Sequence, residues 1–262
     1  MNIVFLGGGR ITSAMLAGLR LAKTKHRLIV HDRNRGKLRT LKELYGAVVE
    51  PDLRKAVAAA DLLLIAVRPG SVRELLQTIG KIERPMLAVS LAAGIPLRVL
   101  SESLGTPVRW ARAMPSPVCR SGQGLTGLCL PSKPLTKDRK QIRAFFGSFG
   151  SVVEIHESRF DAFTVTYSCS HGYLAVAALA DAAQEVGLDR KTALLASAHA
   201  LADGIVAWRK GEHSLAALLE EAITPGGIAA SAAHGMDVAG YKIAVRKGLA
   251  AGLKRARANA RQ

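Results

Sequence analysis

Three consecutive glycines follow the first apolar run of the chain, in the segment Leu6-Gly7-Gly8-Gly9-Arg10-Ile11-Thr12. Glycines between a strand and a helix suit a polyphosphate. Gly7 permits a tight turn and Gly9 lets the backbone approach a pyrophosphate, with Gly8 between them. The helix opening at Arg10 and Ile11 then offers free N–H donors and a favourable dipole. The third fingerprint position, ordinarily Gly or Ala, is Thr12, a change expected to loosen helix–strand packing while leaving the phosphate cradle intact. The next apolar run ends in His31-Asp32-Arg33-Asn34-Arg35-Gly36-Lys37. An acid at this point binds the ribose 2′-hydroxyl of NAD, whereas nearby arginine accommodates the 2′-phosphate of NADP. Both signals are present. With three cations around one carboxylate, NADP is the expected cofactor, Asp32 pairing with one of the cations, and NAD is the alternative. Chemistry at such a site is hydride transfer by a nicotinamide.

The elements that must position these residues are legible as alternating segments. Asn2–Leu6, Arg27–Asp32, Asp61–Val67 and Met86–Ala92 read as strands, the latter two as continuous apolar runs typical of a strand covered on both faces. Ile11–Lys23 has helical periodicity, and helical stretches separate the other strands. Repeated β-α-β units predict a doubly wound parallel sheet. Val108–Ala113, Leu125–Leu130 and Val152–Ile155 are candidate further strands. From about Glu157 onward the strand signals vanish and 27 residues are alanine. That texture, with turns at Gly187, Gly211 and Pro225–Gly227, predicts packed helices. The expected fold class is α/β: a Rossmann-type dinucleotide-binding domain over residues 1–157 and an all-α domain over 158–262.

Composition closes off other classes. The chain has 262 residues, 49% of them hydrophobic, enough to bury a core. No apolar run approaches the roughly 20 residues of a membrane span, and the N-terminus MNIVFLGGGR lacks the features of a signal peptide. Cys119, Cys129 and Cys169 are too few for a disulfide framework and lack metal-ligand spacing; no metal is expected, and a reducing cytoplasm is the expected compartment. The net charge of +17 raises nucleic acid as a partner. No recognised module or aromatic interleaving supports that, and neither nucleic acid nor membrane is expected. Residues 1–150 hold 25 basic and 9 acidic side chains against 12 and 11 in the remainder, so the surplus lies in the half that should hold a polyphosphate.

Further segments carry a family resemblance. Ala66-Val67-Arg68-Pro69, Ser90-Leu91-Ala92-Ala93-Gly94-Ile95, Arg112-Ala113-Met114-Pro115 and Thr224-Pro225-Gly226-Gly227, together with the glycine loop, resemble the pyrroline-5-carboxylate reductase family over roughly residues 2–255. The resemblance implies a dinucleotide-binding domain followed by a helical domain that interlocks with its twin, hence a homodimer or higher oligomer. It implies reduction of a cyclic imino acid, pyrroline-5-carboxylate, to proline with NADPH or NADH. It places Ala66, Val67, Arg68 and Pro69 against the cofactor, Ala92, Ala93 and Gly94 toward the nicotinamide, and Met114 and Pro115 in a turn whose family Asn is Ser116 here.

The substrate segments depart from the family. Its Asp-Ala-x-Thr-x-x-Ser-Gly-Ser-Gly-Pro-Ala-Tyr becomes a segment that keeps Asp161, Ala162, Thr164 and Tyr173 but reads Ser168-Cys169-Ser170-His171-Gly172 in its core. The two threonines after the family's paired glycines are Ile228 and Ala229, and a family glutamate aligns with Leu179. The polar candidates left for the chemistry are His171, Tyr167 and Thr224 as catalytic groups, with Ser116, Ser170, Pro225, Gly226 and Gly227 binding substrate. His171, an imidazole, could donate a proton. The Pro225–Gly227 turn, with Thr224 as N-cap, could offer backbone N–H groups to a carboxylate. Alternatives are a reductase of a different imino or oxo acid and a non-catalytic NAD(P)-binding regulator. A β-hydroxyacid dehydrogenase is disfavoured, because no lysine occurs between Lys140 and Lys191.

Overall fold

The computed structural model describes residues 1–261. Eight strands form one sheet: β1 (Asn2–Leu6), β2 (Arg27–His31), β3 (Val48–Val49), β4 (Leu62–Ile65), β5 (Met86–Ser90), β6 (Val108–Pro115), β7 (Leu125–Cys129) and β8 (Ser151–Glu154). Their order is β3-β2-β1-β4-β5-β6-β7-β8. Neighbours are parallel throughout except β6 and β7. All four residues of β4 and all five of β5 are buried, as their unbroken apolar runs require of strands with helices on both faces. The reversal of strand order lies between β1 and β4, the switch point where open α/β sheets bind ligands.

The helices of this first unit are α1 (Arg10–Leu21), α2 (Arg35–Tyr45), α3 (Leu53–Ala58), α4 (Val72–Ile79), α5 (Leu97–Ser101), α6 (Thr136–Gly147) and α7 (Glu157–Thr166). Two cores sandwich the sheet. One joins Met15, Leu16 and Leu19 of α1, Leu38 and Leu41 of α2, and Ile142, Phe145 and Phe146 of α6. The other joins residues of α3, α4 and α5 with Phe160 of α7.

One buried cation ties α7 to the sheet. Arg112 of β6 is 1% exposed. It donates to Asp161 at 2.7 Å and Glu157 at 3.3 Å and stacks 4.5 Å from the Phe160 ring centroid. Glu157 also accepts the Leu97 N–H at 2.7 Å. Asp161, read as part of a substrate-side motif, thus anchors a helix.

The chain divides into two compact units, one of Met1–Tyr167 with the chain from Ala251 onward, the other of Ser168–Ala250. The division falls one helix later than the expected 157/158 boundary, because Phe160 and the Arg112 ion pairs hold α7 to the sheet. The second unit contains α8 (Cys169–Glu185), α9 (Arg190–Lys210), α10 (Leu215–Ala222) and α11 (Ile228–Val238), and α12 (Tyr241–Asn259) begins in it. Only Ala180, Ala193 and Ser197 are buried in this unit, while Leu174 is 70%, Val238 74% and Ile228 91% exposed. An apolar surface of that kind marks an interface. No helix among the described residues is long and apolar enough to cross a membrane.

Candidate functional site

A cavity of about 1010 Å³ opens beyond the carboxyl ends of β1, β2 and β4, lined by Leu6, His31, Ala66 and the loops that follow them. Its floor is the glycine loop. Gly7 has φ +113° and donates its N–H to the His31 carbonyl at 2.8 Å. A Cβ there would lie 2.6 Å from the Ala66 carbonyl oxygen, so this glycine is required by the fold itself. Gly9 differs: an added Cβ would meet nothing within 4 Å. Packing therefore leaves open the space beside Gly9, as a cradle for a pyrophosphate demands. Gly9 is also the N-cap of α1 and supplies no side-chain cap, leaving the first-turn N–H groups for a ligand. Thr12 does not loosen the motif. It is fully buried, and its hydroxyl donates to the Gly7 carbonyl at 2.5 Å, pinning the loop to the helix.

Asp32 braces the same loop. Its Oδ2 accepts the Gly8 N–H at 2.7 Å and its Oδ1 the Asn34 N–H at 2.8 Å. Lys37 Nζ lies 3.7 Å from Oδ2. Arg33 pairs with Glu74 at 3.3 Å, both side chains well exposed, an ion pair weak enough to be diverted. Arg10, Arg33, Lys37, Arg68 and Arg120 line the cavity against the acids Asp32 and Glu74, a cationic balance suited to a polyphosphate.

Of the expected cofactor residues, Gly7, Gly8, Gly9, Arg10, Ile11, Asp32, Arg33, Ala66, Val67 and Arg68 come together in this wall. Pro69, Ala92, Ala93, Gly94, Met114 and Pro115 do not line it. Pro69 opens a short 3-10 turn after Arg68. The Ala93 carbonyl accepts from Asn259 at 3.2 Å, and a Cβ on Gly94 would run into the Ala256 carbonyl; this segment is fitted to the end of α12. Met114 and Pro115 close β6. Arg120, Thr40, Ser71, Glu74 and Thr78 line the cavity without having been anticipated. Arg120 arrives on the 3-10 turn Pro117–Ser121, a stretch with no periodicity to betray it.

The substrate-side candidates fall in both units. In the first, Ser116 is buried and its Oγ accepts the Val118 N–H at 3.3 Å, capping the 3-10 turn. The Tyr167 hydroxyl accepts the Leu125 N–H at 2.6 Å, and its ring packs on Phe163. That oxygen keeps its own proton to donate. In the second unit, Ser168 caps α8 by accepting the Ser170 N–H at 3.4 Å, and the two hydroxyls lie 2.7 Å apart. His171, in the first turn of α8, is exposed. Thr224 is not a helix N-cap. Gly227 holds that position for α11 without a side-chain cap, and Thr224 instead accepts the Gly227 N–H at its carbonyl, 3.0 Å away. The proline and paired glycines bring the chain into α11 through a turn closed by backbone atoms, so no side chain is left to cap.

Burial pushes the Cys119 thiol up to about 11 and the Cys129 thiol up to about 12. Both stay protonated near neutral pH, as expected of buried structural thiols.

Two family models match the chain. One, described as NADP oxidoreductase coenzyme F420-dependent, matches residues 2–94, and the other, described as pyrroline-5-carboxylate reductase dimerisation, matches residues 157–259. A pyrroline-5-carboxylate reductase of Thermus thermophilus is 32% identical over 260 residues, covering 97% of each chain. The chain belongs to the pyrroline-5-carboxylate reductase family. The Coxiella burnetii pyrroline-5-carboxylate reductase structure has a TM-score of 0.85 at 25% identity, covering 98% of both chains. A Plasmodium falciparum pyrroline carboxylate reductase structure with NADP bound has a TM-score of 0.87 at 22% identity, covering 99% of this chain and 98% of the other. The two family models fall on the two halves of the chain, the first over the segment that contains Gly7–Gly9 and the second over the apolar helices after Ser168.

Proposed function

We propose that the protein is an NADPH-dependent pyrroline-5-carboxylate reductase, which adds hydride to the carbon of the cyclic C=N bond and a proton to its nitrogen, giving proline. The observation that carries this reading is the Gly9 cradle: a glycine whose missing side chain serves no packing of the protein itself, at the N-terminus of α1 and among five cations. The nicotinamide of the bound cofactor supplies the hydride.

The rest is the work of the chain. First-turn N–H groups of α1 hold the pyrophosphate. Arg33 and Lys37, beside the Asp32 brace, hold the 2′-phosphate. Ala92–Gly94 and Met114–Ser116 position the nicotinamide end and the imine. The N–H groups at the uncapped start of α11, after Gly226 and Gly227, hold the substrate carboxylate. His171 gives the proton to the imine nitrogen, with Tyr167, Ser170 and Thr224 as the polar groups that orient it. The exposed apolar side chains of α8 to α12 are covered by a second copy, making a homodimer or a higher oligomer the working form, in a reducing cytoplasm.

Crystals grown with NADP and proline test the site. The proline carboxylate is expected on the N–H groups at the start of α11. A carboxylate held elsewhere removes the Gly226–Gly227 turn from the site. Light scattering tests the assembly, a monomer at micromolar concentration being the contrary result.

A further inference from the structure

Thr12 stands where the dinucleotide fingerprint ordinarily has Gly or Ala, and its side chain makes a bond that neither of those residues can make. It is fully buried, and its hydroxyl donates to the Gly7 carbonyl at 2.5 Å. The other end of the same peptide unit is also held, because the Gly8 N–H donates to Asp32 Oδ2 at 2.7 Å. In a planar trans peptide the carbonyl and the N–H point in opposite directions. A hydroxyl that fixes the first therefore fixes the second. A peptide flanked by two glycines has little steric resistance to rotation, so these two bonds set its orientation. Both glycines are buried, where a carbonyl or N–H without a partner is costly.

The clamp reaches the residue that reads the ribose. Asp32 stands where an acid binds the 2′-hydroxyl of NAD. Its side chain is only 14% exposed, and Oδ1 is taken by the Asn34 N–H at 2.8 Å. The carboxylate lies close against bare backbone: a Cβ on Gly8 would come within 3.4 Å of Oδ2. With Oδ2 turned onto the Gly8 N–H, the acceptor that NADH would use is directed into the loop. A carboxylate released from the loop would accept the 2′-hydroxyl of NADH and repel the 2′-phosphate of NADPH.

We propose that Thr12, which does not line the cofactor cavity, is a positioning residue that determines cofactor specificity. Its hydroxyl orients the Gly7–Gly8 peptide, the peptide holds Asp32 inward, and the site is thereby left to the cations that favour NADPH. This rests on the NADPH-dependent reading above.

The test uses the full-length protein without imine, so it reads the clamp separately from proline formation, which tests the reductase reading. Dissociation constants for NADPH and NADH are measured by nicotinamide fluorescence in the parent and three variants. Thr12→Val and Thr12→Ala both remove the hydroxyl, the first keeping the shape of the side chain and the second restoring a residue ordinary at this place. Thr12→Ser keeps the hydroxyl. The ratio of the NADH constant to the NADPH constant is expected to fall about fivefold in Thr12→Val and Thr12→Ala, the worth of about one hydrogen bond, and to stay near the parent value in Thr12→Ser. The proposal is overturned if the ratio is unchanged when the hydroxyl is lost, both constants rising together as for a loop that is merely loosened. It is overturned equally if Thr12→Ser moves the ratio as far as Thr12→Val, or if the parent binds NADH the more tightly.

Discussion

The Gly8 N–H donates to Asp32 Oδ2 at 2.7 Å, joining the phosphate loop to the end of the second strand. With Asn34 on the other oxygen, the carboxylate is committed to the protein's own backbone. The cations beside it, Arg33 on the exposed Glu74 and Lys37 at 3.7 Å from Asp32, are then the recognition elements, and NADPH is the expected preferred cofactor. Losing a charge-assisted contact costs about 1.5–3 kcal/mol, and each 1.4 kcal/mol is tenfold. Lys37→Ala and Arg33→Ala should each raise the KM for NADPH about tenfold while changing that for NADH little. Steady-state kinetics with the two cofactors checks this, equal effects on both being the contrary result.

Gly7 and Gly9 should respond to alanine in opposite ways. At position 7 the backbone is at φ +113° and a Cβ meets the Ala66 carbonyl, a strain of about 1–3 kcal/mol before the clash is counted. At position 9 a methyl group has free space. Gly7→Ala should lower the Tm of the apoprotein, whereas Gly9→Ala should leave it within a degree or two of the parent and weaken NADPH binding more than tenfold. Thermal melts with and without cofactor separate the two roles.

Arg112 carries the junction of β6, α5 and α7 through Glu157 and Asp161. Removing one partner of a buried ion pair costs about 3–5 kcal/mol, and the partial exposure of both carboxylates, 36% and 26%, brings the expectation toward the lower figure. Arg112→Leu should lower the denaturant midpoint by an amount equivalent to about 3 kcal/mol. A midpoint unchanged in urea titration would show the pairs to be worth nothing.

Thiol labelling gives a check on the cores. Cys119 and Cys129 hold their protons to about 11 and 12, so neither forms thiolate at pH 8. Cys169 is only half-buried. Iodoacetamide at pH 8 should modify one thiol per native chain, at Cys169, and all three after denaturation, as read by mass spectrometry of the digested protein.

The proton donor is tested by His171→Ala. Turnover with pyrroline-5-carboxylate should fall more than tenfold with the KM for NADPH little changed, since His171 lies outside the cofactor wall. Retained turnover would move the donor role to Tyr167 or Thr224.

Much of this was legible in the sequence because its physics is local. A run such as Leu62–Ile65 has no polar face to show water, so it reads as a strand covered on both sides, and triple glycine between strand and helix reads as a phosphate loop. Val48–Val49 was missed because two residues carry no period. What escaped notice depends on tertiary neighbours. Arg112 looks like a surface cation until Glu157 and Asp161 are placed beside it. Arg120 reaches the cofactor wall from a turn with no pattern, and Thr12 looks like a flaw until its hydroxyl is seen on the Gly7 carbonyl. Thr224 failed as an N-cap because Pro225-Gly226-Gly227 moves the start of the helix three residues on.

The most direct test of the central claim is the rate of NADPH oxidation by the purified protein with pyrroline-5-carboxylate, followed together with proline formation. The expected result is one proline formed per NADPH consumed, with kcat/KM at least tenfold higher for NADPH than for NADH. A protein that binds NADPH but forms no proline from pyrroline-5-carboxylate would contradict the account.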